Sequence, residues 1–171
     1  EQEEKRKNEL DALQSQINPH FLYNTLDSII WMVESEQYED AISMVTALAN
    51  LFRISLSQGK TIITIAEEFQ HARNYINIQK MRYRNKFQVT FDLDPAIEKY
   101  PTIKLIVQPL LENAIYYGME SMDGEGEILV QGFANEGEIL IHVIDNGIGM
   151  PPEQVNQLLT NGIYKRKRGS G

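Results

Sequence analysis

Glu138-Ile139-Leu140-Ile141-His142-Val143-Ile144-Asp145-Asn146-Gly147-Ile148-Gly149-Met150 is the stretch whose reading decides the fold. Apolar residues at strand spacing run into a carboxylate, and two glycines follow it in the turn beyond. Just upstream, Glu127 to Phe133 has the same strand character. Asn135-Glu136-Gly137 joins the two runs with the chemistry of a tight hairpin turn. Outward from this pair, Pro151-Pro152 opens a short helix, and Thr102 to Tyr117, following Pro101, is expected to be one largely buried helix. Phe87 to Leu93 alternates as a further strand, and Asp94-Pro95 turns the chain after it. Thr64-Ile65-Ala66-Glu67 has the form of a capping box for a helix reaching about Tyr83. The fold class is therefore α+β, with helices on one face of a mixed sheet.

The first part of the chain has a different period. Leucine or isoleucine stands at 10, 13 and 17, then at 22, 26 and 29 with Val33, which is helical spacing over Glu1 to about Val33. Pro19 falls between the two stripes and predicts a kink, since it lacks an N–H and crowds the preceding turn. At 100° per residue His20 lies roughly 200° from Leu22, opposite the downstream stripe, and is expected to be exposed. A second helix is expected from about Tyr38 to Leu56, with apolar residues at 41/42, 45, 48/49, 52 and 56 and Gly59 after its end. The short connection makes the pair antiparallel, and two stripes too large to cover each other call for a second copy and a four-helix bundle. Residues 1–60 form this dimerisation hairpin, and residues 61–171 form the α/β sandwich domain.

A formal net charge of −8 sets aside nucleic acid and anionic membrane as electrostatic partners, and the absence of cysteine excludes disulfides and thiolate sites. No run approaches the roughly 20 apolar residues that span a bilayer. The composition at both ends is that of an excerpt from a longer protein.

Three stretches carry chemistry. Asp145 at a strand end can accept a hydrogen bond from an amino group, and Gly147 and Gly149 allow close backbone approach to a ligand; read alone, a plain Asp-Asn-Gly turn is the better reading. Glu112 and Asn113 stand in Gln108-Pro109-Leu110-Leu111-Glu112-Asn113-Ala114 within an apolar surround and need partners. A hydrated magnesium ion bridging to phosphates would use Asn113, with Glu112 acting through a water; the plainer alternative is that both reach the polar edge of the helix. His20, in Asn18-Pro19-His20-Phe21-Leu22-Tyr23-Asn24, is flanked by residues that are poor helix formers, a local cost that points to a site. His71 and His142 have no such surroundings and are read as structural or solvated.

Asn18 to Asn24 resembles the phosphoacceptor motif of the LytS/YesM-like class of sensor histidine kinases. Gln108 to Gly118 resembles the N box of the kinase and gyrase type ATP-binding fold, and Asp145 to Met150 its G1 box. Thr64 to Tyr83, with Glu67-Glu68, Asn74-Tyr75, Gln79 and Arg82, is similar to the helix that opens this ATP-binding domain. The resemblance implies that His20 is the phosphoacceptor, Asn113 a magnesium ligand and Glu112 the organiser of metal and waters. Asp145 then receives the adenine amino group, Gly147 and Gly149 shape the pocket wall, and Gly169 and Gly171 open the glycine-rich G2 box, inside which the chain stops. It further implies ATP and Mg2+ as cofactors, a homodimer, and a response regulator receiver domain as partner. The expected location is the cytoplasmic portion of a cell-membrane protein with its sensor upstream. Two other readings stay open: a gyrase-type ATPase clamp without histidine phosphorylation, and an inert dimeric scaffold. The scaffold is hinted at by Tyr116-Tyr117, where the family often carries a lysine and a histidine.

Overall fold

The computed structural model describes residues 1–8, 18–56, 59–119 and 125–157. Residues 2–8 are helical, and the leucine stripe at 10, 13 and 17 lies outside the described residues. Helix α1 spans Pro19–Glu34. The expected kink at Pro19 is instead a helix start: Asn18 has extended backbone (φ −63°, ψ 114°) and its side-chain oxygen accepts the His20 N–H at 3.0 Å. A proline at the first helical position sacrifices no donor, and it disfavours helical geometry in the residue before it. His20 consequently sits in the first turn of α1 and is exposed, as expected.

After a reversal in which Glu36 takes φ +61°, helix α2 covers Tyr38–Leu56. The single chain covers one apolar face of each helix. The side of α1 packed into its own chain carries Phe21, Thr25 and Met32, and that of α2 carries Ala41, Met44, Leu48, Leu51 and Ser55. Of the stripe expected to be covered, Leu22 and Ile29 are half-buried while Leu26 and Val33 are 42% and 47% exposed. The reason is that each helix has two apolar stripes, and the helix described next takes only one. The other leaves Leu26, Ile30 and Val33 of α1, and Ile42, Val45 and Leu56 of α2, exposed in the single chain.

Strand β1 (Ile62–Thr64) leads into helix α3 (Ile65–Arg82). The capping box is complete: Thr64 Oγ1 accepts the Glu67 N–H at 3.1 Å and Glu67 Oε2 accepts the Thr64 N–H at 2.8 Å. α3 is buried from two directions, by α2 on one side and the sheet on the other, so Phe69, Ala72, Tyr75, Ile76 and Ile78 are all inaccessible. Strand β2 (Phe87–Leu93), β3 (Pro101–Ile103), β4 (Gly126–Asn135) and β5 (Glu138–Asp145) follow. β2 runs parallel to β4 and β4 antiparallel to β5, in the order β2-β4-β5, and β3 pairs with β1 in a separate two-stranded sheet. The β4–β5 turn is Glu136-Gly137, both at positive φ (49° and 82°), which matches the right-handed twist of the strands.

The single helix expected from Thr102 to Tyr117 is broken into β3, helix α4 (Val107–Asn113) and a wider π-type turn over Ala114–Met119. The break has a specific cause. The fully buried carboxylate of Glu68 accepts the Leu105 N–H at 2.8 Å and the Val107 N–H at 3.1 Å, and Leu105 takes φ +63° to present it. Burial raises the Glu68 carboxyl above its ordinary range, and hydrogen bonds from Val107, Leu105 and Ile106 pull it back.

The end of α2 is tied to the sandwich by a small polar cluster. His71 on α3 is fully buried with Nε2 3.0 Å from Ser55 Oγ, and Lys104 Nζ donates to the Ser55 carbonyl at 2.7 Å. Nδ1 of His71 has no hydrogen-bond partner among the described residues. Desolvation, and then the charge of Lys104, lower His71 to about 4. A base depressed below its unfolded value of about 6.5 contributes stability in full above that value and loses it as pH falls toward 4. Acidification from pH 7 to pH 5 is therefore expected to lower Tm, with His71 contributing at most about 1.4 kcal/mol per pH unit. In differential scanning calorimetry His71→Gln should flatten that slope.

Candidate functional site

The first turn of α1 faces the last turns of α3 and α4 across an open cleft of about 830 Å³. His20 and Asn24 stand on one wall, Glu112 and Asn113 on the other, with Tyr75 and Arg82 of α3 between them. The floor is formed by Phe21 and Tyr75, whose ring centroids are 5.2 Å apart. The phosphoacceptor candidate and the metal-ligand candidates, distant in sequence, are thus brought together within one chain.

Each polar group is held. Asn24, one helical turn after His20, places its carboxamide nitrogen 2.9 Å from His20 Nδ1. With the NH2 turned inward, Nδ1 is an acceptor and the ring proton sits on Nε2. With the carboxamide flipped, its oxygen receives Nδ1–H and Nε2 has a bare lone pair. Either way Nε2 is the nitrogen left to face the cleft. Glu112 is half-buried and accepts from Gln108 Nε2 at 3.1 Å, while Asn113 is exposed. Their placement is thus the polar edge of the helix, and the enclosed apolar surround expected for both is corrected: α4 is short and Leu110 and Ile106 turn outward. Among the described residues no cluster of three or more acidic or imidazole groups exists to cage a metal. A hydrated magnesium ion bound mainly through phosphates takes only one or two protein oxygens, and Asn113 with Glu112 fits that requirement.

At the other side of α4 lies the Asp145 loop. Asp145 ends β5, is exposed, and accepts the Gly147 N–H on Oδ1 at 2.9 Å, leaving Oδ2 to accept from a ligand. Asn146 closes the strand end by exchanging hydrogen bonds with Glu127, its Oδ1 accepting the Glu127 N–H at 2.8 Å and its N–H reaching the Glu127 carbonyl at 3.1 Å. The loop touches the end of the N-box segment glycine to glycine. A Cβ at Gly147 would lie 2.6 Å from both Cα and O of Gly118, and one at Gly118 would lie 3.0 Å from Asp145 Oδ1. Gly149 takes φ +72° and has open space around it. Gly169 and Gly171, and the cations Lys165 to Arg168, lie outside the described residues.

Gly118 and Asn24 stand within the two quoted motifs, but sequence reasoning gave neither a role. The signals were there: a spacing of four from His20 for Asn24, and a glycine closing a helix for Gly118.

The histidine kinase family model matches residues 8–87, and that of the histidine kinase-, DNA gyrase B-, and HSP90-like ATPases matches residues 98–171. The chain belongs to the sensor histidine kinases. The sensor histidine kinase YesM of Bacillus subtilis is 42% identical over 145 residues, covering 85% of this chain and 25% of YesM. The sensor protein LytS of Staphylococcus saprophyticus is 28% identical over 167 residues, 97% of this chain and 28% of LytS. The sensor histidine kinase BtsS of Escherichia coli is 28% identical over 163 residues, 95% of this chain and 29% of BtsS. The chain thus spans between 25% and 29% of the length of these three relatives. No helix among the described residues is long and apolar enough to cross a membrane.

The glycine contact gives the nucleotide site of this ATPase-type domain a direct test. Gly147→Ala sets a methyl group against backbone that has no flexible end to move, and is expected to weaken binding of an ATP analogue at least tenfold by isothermal calorimetry. Gly149→Ala meets only the strain of a positive φ, of order 1 kcal/mol, and is expected to weaken it much less.

Proposed function

We propose that the chain is the ATP-dependent autokinase core of a two-component sensor, phosphorylating His20 and passing the phosphoryl group to an aspartate on a response regulator receiver domain. The observation that carries this reading is the shared cleft, in which His20 faces Asn113 and Glu112 across Tyr75. A gyrase-type clamp or an inert scaffold has no use for a held, exposed imidazole there.

In this reading residues 1–60 are the phosphoacceptor hairpin and residues 61–171 the ATP-binding domain. Asp145 accepts the adenine amino group, Gly147 and Gly149 form the pocket wall, and Gly169 and Gly171 cover the phosphates. Asn113 ligates Mg2+ with Glu112 ordering its waters, and the metal's contribution is to neutralise charge on the phosphate oxygens. Asn24 holds Nδ1–H, so that the Nε2 lone pair forms the bond to phosphorus as the bond to the β–γ bridging oxygen breaks and ADP leaves with that electron pair. The proton stays on Nδ1, against the Asn24 oxygen, until it passes to solvent. The exposed stripes of Leu26, Ile30 and Val33 and of Ile42, Val45 and Leu56 support a homodimer built as a four-helix bundle, which would cover them. A membrane sensor upstream, with this portion in the cytoplasm, completes the proposal.

Incubation of a chain carrying the complete glycine-rich loop with γ-labelled ATP and magnesium is expected to give label that is stable in base, labile in acid and absent from His20→Gln. Nucleotide binding without such label would overturn the proposal. The placement of His20 and Asn113 in one cleft supports transfer within a subunit. Doubly tagged mixed dimers of His20→Gln with Asn113→Ala are therefore expected to stay unlabelled, whereas transfer between subunits would restore label to the Asn113→Ala chain.

A further inference from the structure

Arg82 closes the His20 cleft at the end of α3, half-buried and aimed by a relay rather than left to solvent. Its Nη1 donates to Gln79 Oε1 at 2.9 Å, and Gln79 Nε2 donates to the Tyr75 hydroxyl at 2.8 Å. Tyr75 is buried and stacks on Phe21, the residue next to His20. The guanidinium also lies over the Tyr83 ring, 5.6 Å from its centroid. The same contacts that position the imidazole thus position the cation.

Arg82 forms no ion pair with a carboxylate among the described residues; Glu112 lines the same cleft, but its Oε1 is taken by Gln108 Nε2. Asp27 and Asp40 line a neighbouring cleft of about 740 Å³ that Arg82 also borders, but Lys80 and Arg84 stand with them there, and none of these forms an ion pair with Arg82. Within the His20 cleft Arg82 is the one Lys or Arg lining the wall among the described residues. A half-buried guanidinium held by a neutral amide and an aromatic ring keeps its charge available to an anionic group that enters the cleft. What passes between the ATP site and His20 is a phosphoryl group whose oxygens carry most of the transition-state charge, and the planar fork of arginine matches two such oxygens at once.

We infer that Arg82 meets the phosphoryl group in transit from ATP to His20, and that Gln79 and Tyr75 are positioning residues for it. This rests on the autokinase reading and adds to it a cation supplied by the helix that opens the ATP-binding domain. Its charge is engaged when the phosphoryl group has left ADP and the N–P bond is forming. The effect falls on the rate of transfer, with little on the affinity for nucleotide.

The test compares the parent chain with Arg82→Gln, Arg82→Lys and Arg82→Ala, each carrying the complete glycine-rich loop, by single-turnover phosphorylation over a range of ATP concentrations. Arg82→Gln is expected to slow phosphorylation at saturating ATP by roughly a hundredfold or more, with nucleotide affinity within about threefold of the parent. Arg82→Lys is expected to recover part of the rate, because it restores charge without the fork. Added ethylguanidinium is expected to restore part of the Arg82→Ala rate, a response that a packing role would not produce. Gln79→Leu is expected to slow transfer less than Arg82→Gln. A rate for Arg82→Gln within threefold of a labelled parent overturns the inference alone, as does parallel loss of nucleotide binding and thermal stability without guanidinium rescue. Absence of label in the parent, or label that persists in His20→Gln, overturns the autokinase reading and this inference with it.

Discussion

The carboxylate of Glu68 has no accessible surface, and it captures the N–H groups of Leu105 and Val107 from a segment more than thirty residues away in sequence. A buried carboxylate without donors would be costly; here one donor, the Val107 N–H, is among those a helix N-terminus leaves unpaired, the other is the Leu105 N–H just before it, and that helix has no side-chain cap of its own. The exchange satisfies both parties and fixes where α4 begins. Because α4 is only seven residues long, its start determines where Glu112 and Asn113 finish. The position of the metal-ligand candidates is thus set by α3, the same helix that holds Tyr75 and Arg82 between the two walls of the cleft.

A second local constraint works in the same direction. Pro19 and Asn18 make α1 begin one residue before His20, so the imidazole belongs to a first turn whose unpaired N–H groups point away from the helix body. That end of the helix dipole favours negative charge, and a phosphoryl group on His20 would bring it there. The proline and asparagine, poor residues for a helix interior, are good ones for a helix start. Their apparent cost disappears once the helix boundary is moved to them.

Elements whose determinants are local were legible from the residues. The capping box at Thr64 and Glu67, the Phe87–Leu93 strand and the Glu136-Gly137 hairpin all appear where turn chemistry and alternation placed them. What was not legible depends on long-range partners. The break at Leu105 needs Glu68, and no feature of Thr102 to Tyr117 announces a carboxylate arriving from another helix. The choice between two apolar stripes on α1 and α2 likewise depends on α3, which accepts the face of Phe21 and Met44 and leaves that of Leu26 and Val45 exposed. For the candidate site, His20, Asn113, Asp145 and Gly147 were singled out through the motifs that contain them, and the fold brings His20 and Asn113 to one cleft. Asn24 and Gly118 were passed over because their roles appear only when a neighbour is seen: an imidazole nitrogen for one, a glycine backbone for the other.

α3 is shared between the two halves of the molecule, and that sharing has a mechanical consequence. Midway along α3 and one helical turn apart, His71 and, through Ser55, Lys104 hold the close of α2, and Tyr75 holds Phe21 at the opening of α1. The hairpin is therefore gripped at both of its remote ends by one rigid helix, and its connecting loop is not needed to set the geometry of His20. A rotation of α1 that withdrew Phe21 from Tyr75 would carry His20 out of the cleft in the same movement, since the two residues are adjacent in the first helical turn. It would also expose the ring that supports Gln79, and with it the hydrogen bond that aims Arg82. Imidazole and guanidinium are consequently assembled or dispersed together, and the coupling lies in the packing of one aromatic pair.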